Sequence, residues 1–322
     1  MSMKTLFITD LKNGDKFMDE PFLLRDVISR TTKDGQPFLR LVLSDKTGQV
    51  NGVYWDVPAQ VQRWVSAGQV ALVEGRVSTY RNAPQVVVTD LSAHANPDMR
   101  DFLRTSGRSR EEMIAELHEE IESLNAPWQE LLRHILLDEA FLPRFADAPA
   151  ARRMHHAYMG GLLAHTLSMV RLAHALAAHY PYVNRDLLVS GVLLHDMGKV
   201  FEYGTDAGIS VSDDGHLVGH IVRGVIIVEK AAAELDDFPA DALQQLVHLI
   251  ASHHGQMEWG APVTPKTLEA ILLHQIDLLD SRVQGFLDFL SEDAGNDTWS
   301  QKPSPMFGSY LQRPPNFAPN EA

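Results

Sequence analysis

Between residues 157 and 290 the chain repeats one costly arrangement, an apolar helical run broken by a histidine or an aspartate. His165 interrupts GGLLAHTLSMV, and His195-Asp196 ends GVLLHD. His220 sits in HLVGHIVRGV, His253-His254 ends LVHLIASHH, and Asp277 interrupts ILLHQIDLLD. A polar group on a buried stripe costs roughly 2–7 kcal/mol unless it is paired or metal-bound. One such residue is commonly a satisfied core histidine. Five elements that each carry one into a core point to a shared centre where the groups meet. Several His with two Asp match the ligand needs of one or two transition-metal ions, with positions left for water and substrate. Ligands on separate helices of a bundle converge on its interior. The chain has 15 histidines, so most must be bland. His94, His118, His134, His174 and His179 lie on polar faces or near loops, where a lone histidine is a surface or packed residue.

The pair His195-Asp196 adds a geometric condition. Consecutive residues of a regular helix point about 100° apart, so both reach one cluster only at a helix end or turn. Gly198 is expected to supply that turn. A carboxylate has two oxygens, so Asp196 can bridge two metals. Lys199 then falls close enough to neutralise a phosphate oxygen. The chain has no cysteine, which excludes disulfides, thiolate zinc sites and cysteine nucleophiles. Any metal is therefore held by His and carboxylate, donors that suit manganese, cobalt, iron or zinc.

The first 95 residues read differently. FLLRDVISRT, PFLRLVLSD, QVNGVYWD, QVALVEGRVSTY and PQVVVTDL are short, β-branched and partly alternating, as strands are. Lys33-Asp34-Gly35 and Lys46-Thr47-Gly48 supply turns between the first three. A short helical stretch, VPAQVQRWVSAG, separates the third from the fourth, with Gly68 placed to end it. Five strands with a helix between the third and fourth is the layout of an OB-fold barrel. On the second strand Leu39, Leu41 and Leu43 share the core face, and Phe38, Arg40 and Val42 share the other. Tyr54 and Trp55 are adjacent on the third strand, so one of them faces outward. An aromatic plus an arginine on the outside of strands two and three is what a single-strand nucleic-acid platform needs. Phe38, Arg40, Tyr54 and Trp55 are its candidates, and ordinary barrel packing is the bland alternative.

From residue 111 the chain is helical almost throughout. EEMIAELHEEIESL and APWQELLRHILLDEAFLPRF come first, then helical patterns over 157–180, 186–197, 216–236, 241–254 and 265–290. Gly255 fits one helix end, and Pro265 fits the start of the last helix. The expected organisation is a barrel over 1–95, a linker and helical segment over 96–150, a helical domain over 151–292, and a Pro-rich tail over 293–322. That tail is either a surface strap or disordered.

Net charge is −14, which alone argues against a nucleic-acid partner. The charge is uneven. Residues 1–95 hold 11 Lys+Arg against 10 Asp+Glu, and the remainder holds 17 against 32. The barrel is thus nearly neutral, and bound divalent metals would offset acidity locally. No apolar run is long enough to span a membrane, and MSMKTLFITDLKNGDKF lacks a signal-peptide layout. A cytoplasmic protein with no membrane partner is expected.

His165, then His195-Asp196, then Asp277 resembles the H…HD…D pattern of the HD superfamily of metal-dependent phosphohydrolases, over about residues 150–290. His220 and His253-His254 look like the second-metal ligands of its binuclear members. MHHAYMGGLLAHTLSM, LLHDMGKVFEY, GHLVGHIVRG and SHHGQMEWGAPVTPKTLEAILLHQIDLLDS, behind an OB-like barrel, resemble the YhaM-type 3′→5′ exoribonucleases over nearly the whole chain except the tail. The resemblance implies trimming of single-stranded RNA, and often single-stranded DNA, from the 3′ end with a divalent metal such as manganese or cobalt. It implies two ions on Asp196, one completed by His165, His195 and Asp277, the other by His220 and His253 or His254. Asp280 is a lesser ligand candidate, and His155 and His156 lean to a structural role. In so acidic a domain a substrate groove must draw on metal charge and on local basics such as Lys199, Arg223, Lys266 or Arg282.

Two alternatives stand beside this reading. One is an HD phosphohydrolase acting on a small nucleotide or a cyclic (di)nucleotide, since fold and metals are shared across the superfamily. The other is a nucleic-acid-binding adaptor with a retired catalytic core, which the complete ligand set counts against. The oligomeric state is not fixed by the sequence, and a homo-oligomer is compatible with it.

Overall fold

A computed structural model describes residues 4–32, 34–81, 83–95, 97–102, 107–151, 158–204, 210–293, 297–315 and 317. His155, His156 and Lys33 lie outside the described residues. The chain forms two compact units. One takes in Met1–Thr105 with Gly204–Ser210, the other Ser106–Tyr203 with Val211–Glu321.

In the first unit, β1 (Lys16–Thr31), β2 (Pro37–Asp45), β3 (Gly48–Trp55), β4 (Val70–Tyr80) and β5 (Ala83–Ala93) close a barrel in the order β1-β2-β3-β5-β4. The short helix α1 (Ala59–Trp64) joins β3 to β4. The β3–β5 pair is parallel, and the other ladders are antiparallel. Closure needs bent strands, and register shifts at Leu24/Asp26, Phe17/Glu20 and Glu74/Gly75 supply them. At Gly75 a Cβ would lie 2.7 Å from the Val87 carbonyl oxygen, so only glycine permits that approach. Leu39, Leu41 and Leu43 fill the interior with Phe22, Leu24, Val73, Val86 and Tyr54.

The second unit is helical: α2 (Arg110–Glu122), α3 (Trp128–Leu136), α4 (Phe141–Asp147), α5 (Gly161–His179), α6 (Arg185–Leu194), α7 (Lys199–Glu202), α8 (Asp213–Leu217), α9 (His220–Ala233), α10 (Ala240–Ser252) and α11 (Leu268–Glu292). Every residue of α6 from Leu187 to Leu194 is buried, because this helix packs against α5, α10 and α11. Helix starts follow local capping. Ser109 and Glu112 form a reciprocal capping box at α2, and Asn184 accepts from the Leu187 N–H at α6. The last helix begins three residues later than Pro265 would place it, because the Thr267 side chain accepts from the Ala270 N–H there. The pattern over 216–236 is two helices rather than one, since Gly219 takes φ 76° between α8 and α9.

The described part of the Pro-rich tail, residues 297–315 and 317, folds back as a strap on α11. Arg313 donates to the Leu290 and Asp293 carbonyl oxygens at 2.9 and 2.7 Å. Phe307 meets Phe286 edge-on, and Leu311 is buried.

Candidate metal centre

Five helical elements deliver the predicted ligands to one place in the second unit. His165 lies on α5, and His195 and Asp196 follow the last residue of α6. His220 is the first residue of α9, His253-His254 follows α10, and Asp277 lies on α11. His165, His195, Asp196 and His253 are essentially inaccessible to solvent.

The two oxygens of Asp196 face two different groups. Oδ2 lies 3.3 Å from His195 Nε2 and 4.0 Å from His165 Nε2. Oδ1 lies 3.5 Å from His220 Nε2 and 3.6 Å from His253 Nε2. Donor atoms of His165, His195 and Asp277 lie within 4.8 Å of one another, and so do those of His220, His253 and His254. His253 and His254 thus share one group, although their sequence positions make them diverge.

Each histidine is held from behind. His165 Nδ1 pairs with Asp280 Oδ2 at 2.7 Å, and His220 Nδ1 with Glu202 Oε2 at 2.6 Å. His195 Nδ1–H donates to the Val192 carbonyl oxygen at 2.8 Å, and His253 Nδ1–H to that of Ile250 at 2.7 Å. His254 Nδ1–H donates to the Trp259 carbonyl oxygen at 2.8 Å. An Nδ1 engaged in this way leaves Nε2 with its lone pair, the form a metal binds. The Nε2 atoms of His195, His220 and His253 and the Oδ1 of Asp196 are buried and have no hydrogen-bond partner. Buried polar atoms are almost always satisfied. Four such orphans, all of metal-ligand type and divided between the two groups, fit divalent cations.

The electrostatics agree. Burial opposes ionisation of Asp196, but Lys199 and His195 outweigh it and hold its carboxyl well below the usual carboxylate range. Asp277 is likewise driven down against its burial, by the His165 hydrogen bond first. Burial lowers the His253 and His254 values, keeping both imidazoles neutral and able to ligate. Burial would also lower His165, yet its bonds to Asp277 and Asp280 win and raise it to about 9. The site as a whole therefore favours positive charge at its centre.

Several placements differ from the sequence expectation. The expected turn is present over residues 195–198, but Gly198 takes ordinary helical angles there, φ −63° and ψ −18°, so the turn does not itself require glycine. A Cβ there would lie 2.1 Å from the His220 carbonyl oxygen, so glycine is required for the close approach of α9. Lys199 does lie close to the centre, its ammonium 2.6 Å from Asp196 Oδ2. Asp280 binds the far side of His165 and accepts from the Ser168 hydroxyl, so it is an outer partner and not a ligand. Glu202 escaped sequence reading, because nothing in KVFEY marks a glutamate that faces a histidine 18 residues away. Arg223 is tied to Asp214 at 2.9 Å. Of the histidines read as bland, His134 pairs with Glu234 and His174 with Glu120.

In the barrel, Phe38 and Trp55 sit opposite each other on β2 and β3, with rings stacked at 4.7 Å. Trp55 is 48% exposed, and Arg40 is exposed on the same face as Phe38. Tyr54 corrects the expectation for that residue. It lies opposite Leu39 with 5% exposure, inside the barrel. Arg30, opposite Phe38 on β1 and exposed, extends the outer row. Only the strand register identifies it.

Comparison with known proteins agrees with both halves. Residues 162–282 match the family model of the HD domain, and residues 23–93 match that of an OB-fold nucleic acid binding domain. The 3'-5' exoribonuclease YhaM of Listeria monocytogenes serotype 4b is 37% identical over 280 residues, 85% of this chain and 88% of that protein. Its counterpart in a Geobacillus species is 37% identical over 83% of this chain and 82% of its own length. That of Bacillus velezensis is 36% identical over 83% and 85%.

Proposed function

The chain belongs to the YhaM family of 3′-5′ exoribonucleases, and from that premise we propose that it shortens single-stranded RNA from its 3′ end by metal-dependent hydrolysis, with single-stranded DNA as a second substrate. One observation carries the reading at the chemical level: the two Asp196 oxygens face two separate ligand groups. Two divalent ions would be held there, one by His165, His195, Asp196 and Asp277, the other by Asp196, His220, His253 and His254. Manganese or cobalt suits an all-imidazole and carboxylate set without thiolates, and iron or zinc is compatible with it. When bound, such ions make a water acidic enough to attack phosphorus near neutral pH and stabilise charge on the phosphate oxygens.

The protein's own residues do the rest. Asp280, Glu202 and three backbone carbonyl oxygens fix the five imidazoles in one tautomer and orientation. Lys199 keeps Asp196 ionised and brings positive charge beside it, where a non-bridging phosphate oxygen can be met. The Phe38–Trp55 stack with Arg40 and Arg30 supports a role for the barrel in binding single strands, rings stacking on bases and guanidiniums meeting phosphates. The proposal extends to a cytoplasmic place of work, in keeping with an RNA substrate. It also extends to self-association of the chain.

A labelled single-stranded oligoribonucleotide, incubated with manganese and then with chelator, tests the function. A ladder of shortening products that chelator abolishes is expected when the label is at the 5′ end. An intact oligonucleotide, in a preparation that hydrolyses small cyclic or dinucleotide phosphodiesters, would overturn the polymer substrate.

A further inference from the structure

One exposed feature beside the centre has no place in the chemistry above. The segment after His253-His254 is tied down by its own backbone. Gly255 N–H donates to Ser252 O at 2.8 Å, Gln256 N–H to His254 O at 2.9 Å, and Ala261 N–H to Gln256 O at 3.2 Å. Ala261 itself is buried. Yet this fixed segment leaves Met257 66% and Trp259 45% exposed. Large apolar side chains gain by leaving water, so two of them held in solvent by a hydrogen-bonded loop form a ready-made apolar surface.

Trp259 is joined to the ligand groups from two sides. Its carbonyl oxygen accepts from His254 Nδ1–H at 2.8 Å. Its ring is inclined at 45° to that of His274, centroids 6.1 Å apart, and His274 Nδ1–H donates to the His253 carbonyl oxygen at 2.9 Å. Gly255, at φ +76°, lets His274 lie flat against this turn, since a Cβ there would fall 2.2 Å from the imidazole. The Trp259 main chain is thus tied to His254 and its ring packs against His274, which in turn bonds the His253 carbonyl oxygen, while part of the indole stays open to solvent. A nucleobase is one sugar removed from its phosphate, and Trp259 is one hydrogen bond removed from His254. Every base has a π-face, so an aromatic platform holds any of them without reading sequence.

We propose that Trp259 is a nucleobase-stacking subsite for a nucleotide flanking the scissile phosphodiester, separate from the Phe38–Trp55 face of the barrel. This rests on the exoribonuclease reading. The subsite would favour a phosphodiester that carries a base over one that does not, and Met257 would border it.

The test is kcat/KM for the first cleavage of 5′-labelled single-stranded RNA by the manganese-loaded full chain. Substrates carry a natural 3′ end or an abasic sugar at the last or second-last nucleotide. The wild type should lose about tenfold when the base is missing at one of these two positions. Trp259→Ala should lose a similar factor on natural RNA and nothing further on that abasic substrate. Trp259→Phe should stay within about twofold of wild type on natural RNA, and manganese affinity should be the same in all three proteins. Equal slowing of natural and abasic substrates by Trp259→Ala, or no slowing of either, overturns the subsite. So does a loss of manganese affinity in both variants, which would make Trp259 only a prop for the His254 turn. A wild type that leaves RNA intact removes the exoribonuclease reading and the subsite with it, whereas a wild type that shortens RNA without this coupling removes the subsite alone.

Discussion

At the scale of single residues, Asp196 matters because its two oxygens look at different ligand groups. A single-oxygen donor could serve one group only. Asp196→Asn keeps the side chain's shape and removes its charge. Losing about 4 kcal/mol of transition-state stabilisation corresponds to a loss of roughly a thousandfold in kcat. Circular dichroism should show the helical content kept, and near-normal manganese-dependent activity would sink the bridging role. The outer partners make a gentler case. Asp280 reaches the centre through His165 Nδ1, so Asp280→Asn should weaken manganese binding by about 10–100-fold. Excess manganese should then restore much of the activity. Unchanged manganese affinity by calorimetric titration would show that His165 is oriented by packing alone.

At the scale of elements, the β2–β3 ladder decides which aromatics face water. Leu39↔Tyr54 and Phe38↔Trp55 are neighbouring cross-strand pairs, and the pleat sends them to opposite sides of the sheet. Trp55→Ala should therefore weaken binding of a fluorescent single-stranded oligonucleotide by about 1–3 kcal/mol. Tyr54→Phe should leave that affinity alone, because its ring is inside the barrel. If the two variants weaken binding equally, the outer face is not the platform. Sequence periodicity anticipated these strands and the core face of β2, since alternation of period two is a local property. It could not choose between Tyr54 and Trp55, because the third strand's burial pattern is not strictly alternating: Gly52, Val53 and Tyr54 are buried in succession. The helices show the same division. Apolar runs marked α5, α6, α9, α10 and α11, while Thr267 and Gly219 moved the boundaries through caps and a left-handed backbone.

At the scale of the whole molecule, the proposed function divides the work between a near-neutral barrel that would hold the strand and an acidic helical unit that would carry the metal chemistry. Removing residues 1–95 should raise KM for long single-stranded RNA by about tenfold or more, at the value of one or two stacked bases. Cleavage of a dinucleotide should change little. Equal losses on both substrates would make the barrel a structural support. The sequence by itself determined the two architectures, the candidate ligand residues and the absence of cysteine. Each of these rests on local periodicity or on residue type, which a linear chain displays directly. Only the tertiary structure decided which Asp196 oxygen faces which histidines, that His253 and His254 share a group, and that Asp280 and Glu202 stand behind the ligands. It also decided that Gly198 serves the approach of α9, and that Trp259 is held open beside the centre. The physical reason is the same throughout. Hydrogen bonds and close contacts between residues 18 to 115 positions apart depend on how helices pack, and packing leaves no periodic trace in the order of the residues.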